Sequence, residues 1–148
     1  MNPTESGLRT FRYGEISLGD RHAKTYRCDE GVYSHFLAAF GDYSPVHVDE
    51  AFACQRGFVG RVMHGAILQG FISHFVGMHF PGRFSLLLGT DLRFSHPSYL
   101  DDSIELEAVV SQKVDARQIV VLDVLLTNTT RKWVAARGRL QVMVREES

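Results

Sequence analysis

The chain has 148 residues, enough for one domain with a real core and too few for a separate cofactor-binding domain. Its 45% hydrophobic and 22% charged residues read as a globular protein, and 16 basic against 17 acidic side chains leave no positive excess of the kind that nucleic-acid binding uses. Met1 to Tyr13 is charged and polar without an apolar run, so no secretory signal is expected and the cytoplasm is the default compartment.

The opening dozen residues carry no element signal and are expected to be loose. Arg21 to Arg27 is extended in character. Asp29 is a good N-cap, and Val32, Phe36, Ala39 and Phe40 follow at helical spacing, which predicts a short helix to Phe40. Next comes Gly41-Asp42-Tyr43-Ser44-Pro45-Val46-His47. Gly41 permits backbone angles that other residues resist, and Pro45 fixes its own φ while restricting Ser44. Asp42 and His47, five residues apart, are thereby presented on an ordered loop as two groups able to transfer protons. Asp49 can cap a second short helix running through Arg56, before Gly57 and Gly60 end it.

From His64 to His79 the sequence is apolar around most of a helical circumference, which predicts a buried central helix. Gln69, Ser73, His74 and His79 interrupt the run, which falls short of the roughly 20 residues that span a bilayer, so no membrane helix is expected. His74 and His79 are not at i, i+4, and no HExxH or paired-cysteine pattern accompanies them, so no metal site is expected. Cys28 and Cys54 form no CxxC motif and read as buried or idle thiols. After Pro81-Gly82 the period changes to two. Strands are predicted over about 86–95, 103–114, 118–127 and 132–144, the last three as a meander. Ile104, Leu106, Ala108 and Val110 alternate with Glu105 and Glu107, giving one apolar sheet face, and the run Ile119 to Leu126 suggests a central strand. The sum is a single α+β domain, 1–148, with an antiparallel sheet around one helix. Such a sheet leaves edges that self-association would hide.

The combination GDYSPVHVDEAFA, then RVMHGAILQGF opening a buried helix, then a β meander resembles the MaoC-like dehydratases, including the (R)-specific enoyl-CoA hydratases, over roughly Tyr26 to Val144. The resemblance implies a hot-dog fold, a sheet wrapped around a long helix, and assembly as a homodimer or a higher even-numbered homo-oligomer. It makes Asp42 and His47 the catalytic pair that holds and activates water, and the Gly65 N–H the donor to the thioester carbonyl, with Ser44, Pro45 and His64 in support. Ser44 stands where the hydratase pattern usually has Asn, and Phe40 where it prefers a small residue.

The implied reaction is hydration of a trans-2-enoyl thioester or dehydration of an (R)-3-hydroxyacyl thioester. Coenzyme A or acyl carrier protein would be part of the substrate, and no cofactor, nucleic acid or membrane would be needed. Negative charge building on the carbonyl oxygen would be met by a helix-start N–H and the helix dipole. The alternatives are a hot-dog acyl thioesterase and a non-catalytic acyl-thioester binding domain. Phe58, Met63, Ile67, Phe71 and Phe94 are candidates for an acyl pocket. Arg56, Arg61, Arg83 and Arg93 are candidates for coenzyme A phosphates, since guanidinium forks match phosphate oxygens.

Overall fold

Strands β1 (Arg21–Arg27), β2 (Ser85–Phe94), β3 (Ser103–Val114), β4 (Ile119–Asn128) and β5 (Trp133–Val144) form one antiparallel sheet in the order β1-β3-β4-β5-β2 in the computed structural model, which describes residues 7–146. Each strand lies within a residue or so of its predicted range, and β3-β4-β5 is the expected meander. The alternation does the work predicted for it. Ile104, Leu106, Ala108 and Val110 of β3 and Leu140, Val142 and Val144 of β5 are all buried. Central β4 adds Val120, Leu122, Val124 and Leu126 to the same core.

This inner face wraps helix α4 (Gly65–His74), which continues as a π-helical turn over Phe75–His79. Ile67, Leu68, Phe71, Ile72, Phe75 and Val76 are its buried side. Ala66, Gln69, Gly70, Ser73 and His74 are exposed, so the helix is not enclosed all round as its composition predicts. Small and polar residues are spaced among the apolar ones so that they collect on one open face.

Before α4 lie α1 (Glu30–Phe40), α2 (Pro45–Val48) and α3 (Glu50–Gln55). Asp29 caps α1, its carboxylate accepting Val32 N–H at 2.9 Å, and Asp49 caps α3 by accepting Phe52 N–H at 3.0 Å. The single turn α2 was not anticipated. Pro45 at its first position supplies the φ that a helix start needs and no N–H to leave unpaired.

Residues 1–6 of the opening dozen lie outside the described range, and Arg9 to Phe11 are tied to the rest of the fold, not loose as expected. Arg9 N–H donates to Met78 O at 2.9 Å, and Phe11 N–H to Pro81 O at 3.1 Å. Phe11 packs edge-on against Phe80, with ring centroids 5.1 Å apart. Gly82 makes this possible: at φ 82° it passes so close to the Arg9 carbonyl that a Cβ would sit 2.0 Å from its oxygen.

Candidate active site

Two local devices present the acid and the imidazole. Gly41 ends α1 in the left-handed conformation, φ 65°, which turns the chain so that Asp42 leaves the helix end. Asp42 is then held by its own loop, with Oδ1 accepting the Ser44 N–H at 3.2 Å. It is the backbone amide of Ser44, not its hydroxyl, that makes this contact. His47 rides on α2, where its Nδ1 lies 2.6 Å from the carbonyl oxygen of Val62. A carbonyl only accepts, so Nδ1 carries the proton and Nε2 keeps its lone pair, facing Asp42.

Asp42 Oδ2 lies 4.0 Å from His47 Nε2 and 3.9 Å from His64 Nε2. His64 is 2% exposed and wedged between rings, 3.9 Å from His47 and 4.5 Å from Phe36 by centroid. Its Nε2 donates to the backbone carbonyl of Asp42 at 2.9 Å, which leaves its buried Nδ1 without a hydrogen-bond partner. The three side chains could be read as a metal triad, since their ligand atoms lie within 4.8 Å of one another. As protonated here they offer two acceptors, Asp42 and His47 Nε2. His64 would have to surrender the Asp42 carbonyl to become a third ligand. Two acceptors 4.0 Å apart instead fit one water seated at about 2.8 Å from each.

Beside them, His64 is the N-cap of α4 and Gly65 its first residue, so the Gly65 N–H is one of the helix-start donors with no acceptor within the helix. His47, His64 and Gly65 line one cavity of about 380 Å³, together with Phe58, Met63, Phe94 and residues 95–98. An ideal Cβ on Gly65 would lie 3.1 Å from the Phe94 ring, so the glycine keeps the amide approachable.

The predicted pocket residues divide. Phe58, Met63 and Phe94 line the cavity at Gly65. Ile67 and Phe71 instead face a separate apolar groove between α1 and α4, shared with Phe36 and Phe40. The four arginines do not gather around the cavity, whose described lining contains none. Arg61 lies over the Tyr33 ring at 4.9 Å and donates to its Oη at 3.4 Å. Arg56 lies 6.0 Å from the Phe52 ring. Arg83 sits in a cleft with Ser85 and Arg145. Arg93 projects from the outer sheet face, opposite Arg137, because alternation sends its neighbour Phe94 inward.

Two contributors escaped prediction. Buried Tyr33 of α1 donates its hydroxyl to the His47 carbonyl at 2.8 Å, and Val62 supplies the carbonyl that sets the His47 tautomer. Only the α1 cap and the loop spacing hinted at the first, and nothing local marked the second.

The MaoC like domain model matches residues 21–132, three quarters of the chain. The chain belongs to this family. Among curated relatives, this MaoC-like protein is 30% identical over 132 residues to the (R)-specific enoyl-CoA hydratase of Rhodospirillum rubrum, covering 89% of this chain and 90% of that one. It is 30% identical over 111 residues to the 3-hydroxybutyryl-CoA dehydratase of Methylorubrum extorquens, covering 75% and 71%. Its fold matches the unliganded R-hydratase of Pseudomonas aeruginosa with a TM-score of 0.85 at 28% identity, covering 95% and 89%. The five-stranded antiparallel sheet around a central helix is thus the hot-dog fold of these hydratases.

Proposed function

We infer that this MaoC-like protein is a hydro-lyase that reversibly adds water to a trans-2-enoyl thioester, giving the (R)-3-hydroxyacyl thioester. The single observation that carries the reading is the pair of acceptors, Asp42 Oδ2 and His47 Nε2, set 4.0 Å apart beside the first N–H of α4. The relatives named as enoyl-CoA hydratases and a hydroxybutyryl-CoA dehydratase support the reaction class and coenzyme A as carrier.

In the hydration direction the thioester carbonyl accepts the Gly65 N–H, and water lies between Asp42 and His47. His47 Nε2 takes one water proton as the oxygen bonds to the β-carbon. The electron pair of the double bond moves to the α-carbon and carbonyl, where the amide and the α4 dipole meet the enolate charge. Asp42 orients the water and balances the imidazolium, whose Nδ1–H stays on Val62 O. The proton then passes to the α-carbon, so that one water is consumed and the enzyme returns to its starting state. Dehydration is the reverse.

The proposal includes a homodimer. Strand β2 is one free edge of the sheet, and Leu86, Leu88 and Phe94 along it are large apolar side chains about half exposed. A second copy joined along this edge would hide them and adjoin the cavity that Phe94 lines. Light scattering at micromolar concentration should give twice the chain mass.

The test of function is direct. Purified protein mixed with trans-2-enoyl-CoA should lower the ultraviolet absorbance of the conjugated thioester to an equilibrium plateau and yield only the R alcohol. Free thiol and the free enoic acid forming in step with the loss of absorbance, with no hydroxyacyl thioester, would indicate hydrolysis and overturn the reading.

A further inference from the structure

Asp102 is only 1% exposed and lies outside the cavity, at the end of the strap 95–102 that precedes β3. A carboxylate this deep is costly unless donors surround it. Its Oδ2 accepts the Tyr99 N–H at 2.9 Å and the Asn128 side-chain amide at 2.7 Å. Its Oδ1 accepts Arg131 Nε at 3.1 Å. Asn128, itself fully buried, accepts the Arg131 N–H at 2.9 Å, and the Arg131 guanidinium lies 4.8 Å from the Tyr99 ring centroid. The donors come from the strap, from the end of β4 and from the turn after it, so the network joins the strap to the sheet.

The strap in turn backs the segment that builds the site. Met63 N–H donates to Ser98 O at 2.8 Å, Val62 pairs with Tyr99 as an isolated bridge, and Val59 N–H reaches the Tyr99 hydroxyl at 3.4 Å. Val62 O is the acceptor for His47 Nδ1, and the two residues after Met63 are His64 and Gly65. Both halves of the site, the lone pair aimed at water and the amide aimed at the thioester, therefore hang on residues 62–65. The strap hydrogen-bonds to Met63 and lies alongside Val62 as a bridge, while the Val62 N–H itself donates to Val46 O at 3.0 Å.

We propose that Asp102 is a positioning residue, which through the strap holds Val62 where it fixes the His47 tautomer and holds the Gly65 N–H in register with it. The catalytic consequence rests on the hydratase reading, whereas the effect on the imidazole does not. Asp102→Asn keeps the size of the side chain but sets an NH₂ against Arg131 Nε or, flipped, against the Tyr99 and Asn128 donors.

Nitrogen-15 spectra of His47 should then change from the Nδ1–H tautomer to a mixture. The kcat for enoyl-CoA hydration should fall about 10- to 100-fold, the scale of a displacement of about 1 Å, while KM moves by less than about threefold. The swap Asp102→Asn with Asn128→Asp returns a carboxylate and an amide to the pair, and should bring kcat back to within about threefold of wild type. Should Asp102→Asn not fold, Arg131→Lys, at a partly exposed arm of the network, is read by the same two signals. A folded variant with an unchanged His47 tautomer and kcat within about twofold of wild type would overturn the proposal. A tautomer change in a protein that proves to hydrate nothing would sustain the role of Asp102 and overturn the hydratase reading instead.

Discussion

Gly65→Ala should separate stability from activity. The backbone at this position is the first turn of α4 and has no positive φ, so alanine is compatible with it and favours the helix by about 0.5–1 kcal/mol. Against that gain, the new methyl would meet Phe94 ring carbons at 3.1, 3.2 and 3.4 Å, closer than ordinary contact by a few tenths of an ångström. Phe94 is 50% exposed in the single chain and outside the buried core, so a shift of its ring by a few tenths of an ångström relieves the clash without disturbing that core. The melting temperature should stay within about 4 °C of wild type, the equivalent of less than about 1 kcal/mol for a domain of this size.

Activity has no such escape. The methyl would stand beside the N–H that receives the thioester oxygen. Alanine keeps the N–H, but a methyl that bars the oxygen from it has an effect up to that of losing one oxyanion donor, about 10²- to 10³-fold in kcat. Thermal unfolding paired with the enoyl-CoA absorbance assay reads both quantities. A Gly65→Ala protein that is fully active would refute the placement of the carbonyl at this amide, and one that does not fold would refute the packing argument.

Tyr33→Phe removes the hydroxyl that braces the His47 carbonyl and should cost about 1–2 kcal/mol in denaturant unfolding, with a lower kcat. Unchanged stability would show that the hydrogen bond contributes nothing. Burial, aided by the Asp102 and Asp29 carboxylates, pushes the Cys28 thiol up to about 12, whereas Cys54 is exposed. A thiol reagent near neutral pH should therefore label one cysteine in the native protein and two after unfolding. His22, His74 and His79 are held below their usual 6.5, first by burial and then by Arg9 beside His22 and His79 and by Lys24 beside His74 and His79, with Asp20 opposing the effect at His22. The unfolded chain then binds more protons than the fold below about pH 6.5, so stability is full above that pH and is lost as pH falls toward the folded values. His79→Gln should flatten the fall in melting temperature between pH 7.5 and 5.5, and an equally steep fall would refute the assignment.

What could be read from the chain was what depends on near neighbours. The Asp29 and Asp49 caps, the Gly41 turn and the alternation in β3 and β5 act over a few residues, so their outcome was legible before any tertiary contact. The central helix was legible in place but not in exposure, since periodicity places Gly70 and Ser73 on one face without saying that nothing packs there. The candidate site was legible as the motif residues Asp42, His47 and Gly65, which the fold brings near one another. Its supports were not, because Tyr33 reaches His47 across 14 positions and Val62 across 15, and hydrogen bonds to backbone carbonyls leave no residue-type signature. The arginines illustrate the same limit. Nearness in sequence to site elements placed Arg93 as a phosphate ligand, whereas one step along a strand reverses the face on which a side chain emerges.

The account stands on water held between Asp42 and His47, and the direct measurement is the hydration rate of trans-2-enoyl-CoA by wild type, Asp42→Asn and His47→Gln at matched folded concentration. Each substitution should reduce kcat about 10²- to 10⁴-fold, the range expected when a positioned proton-transfer group is lost. Wild-type rates in both variants would contradict it.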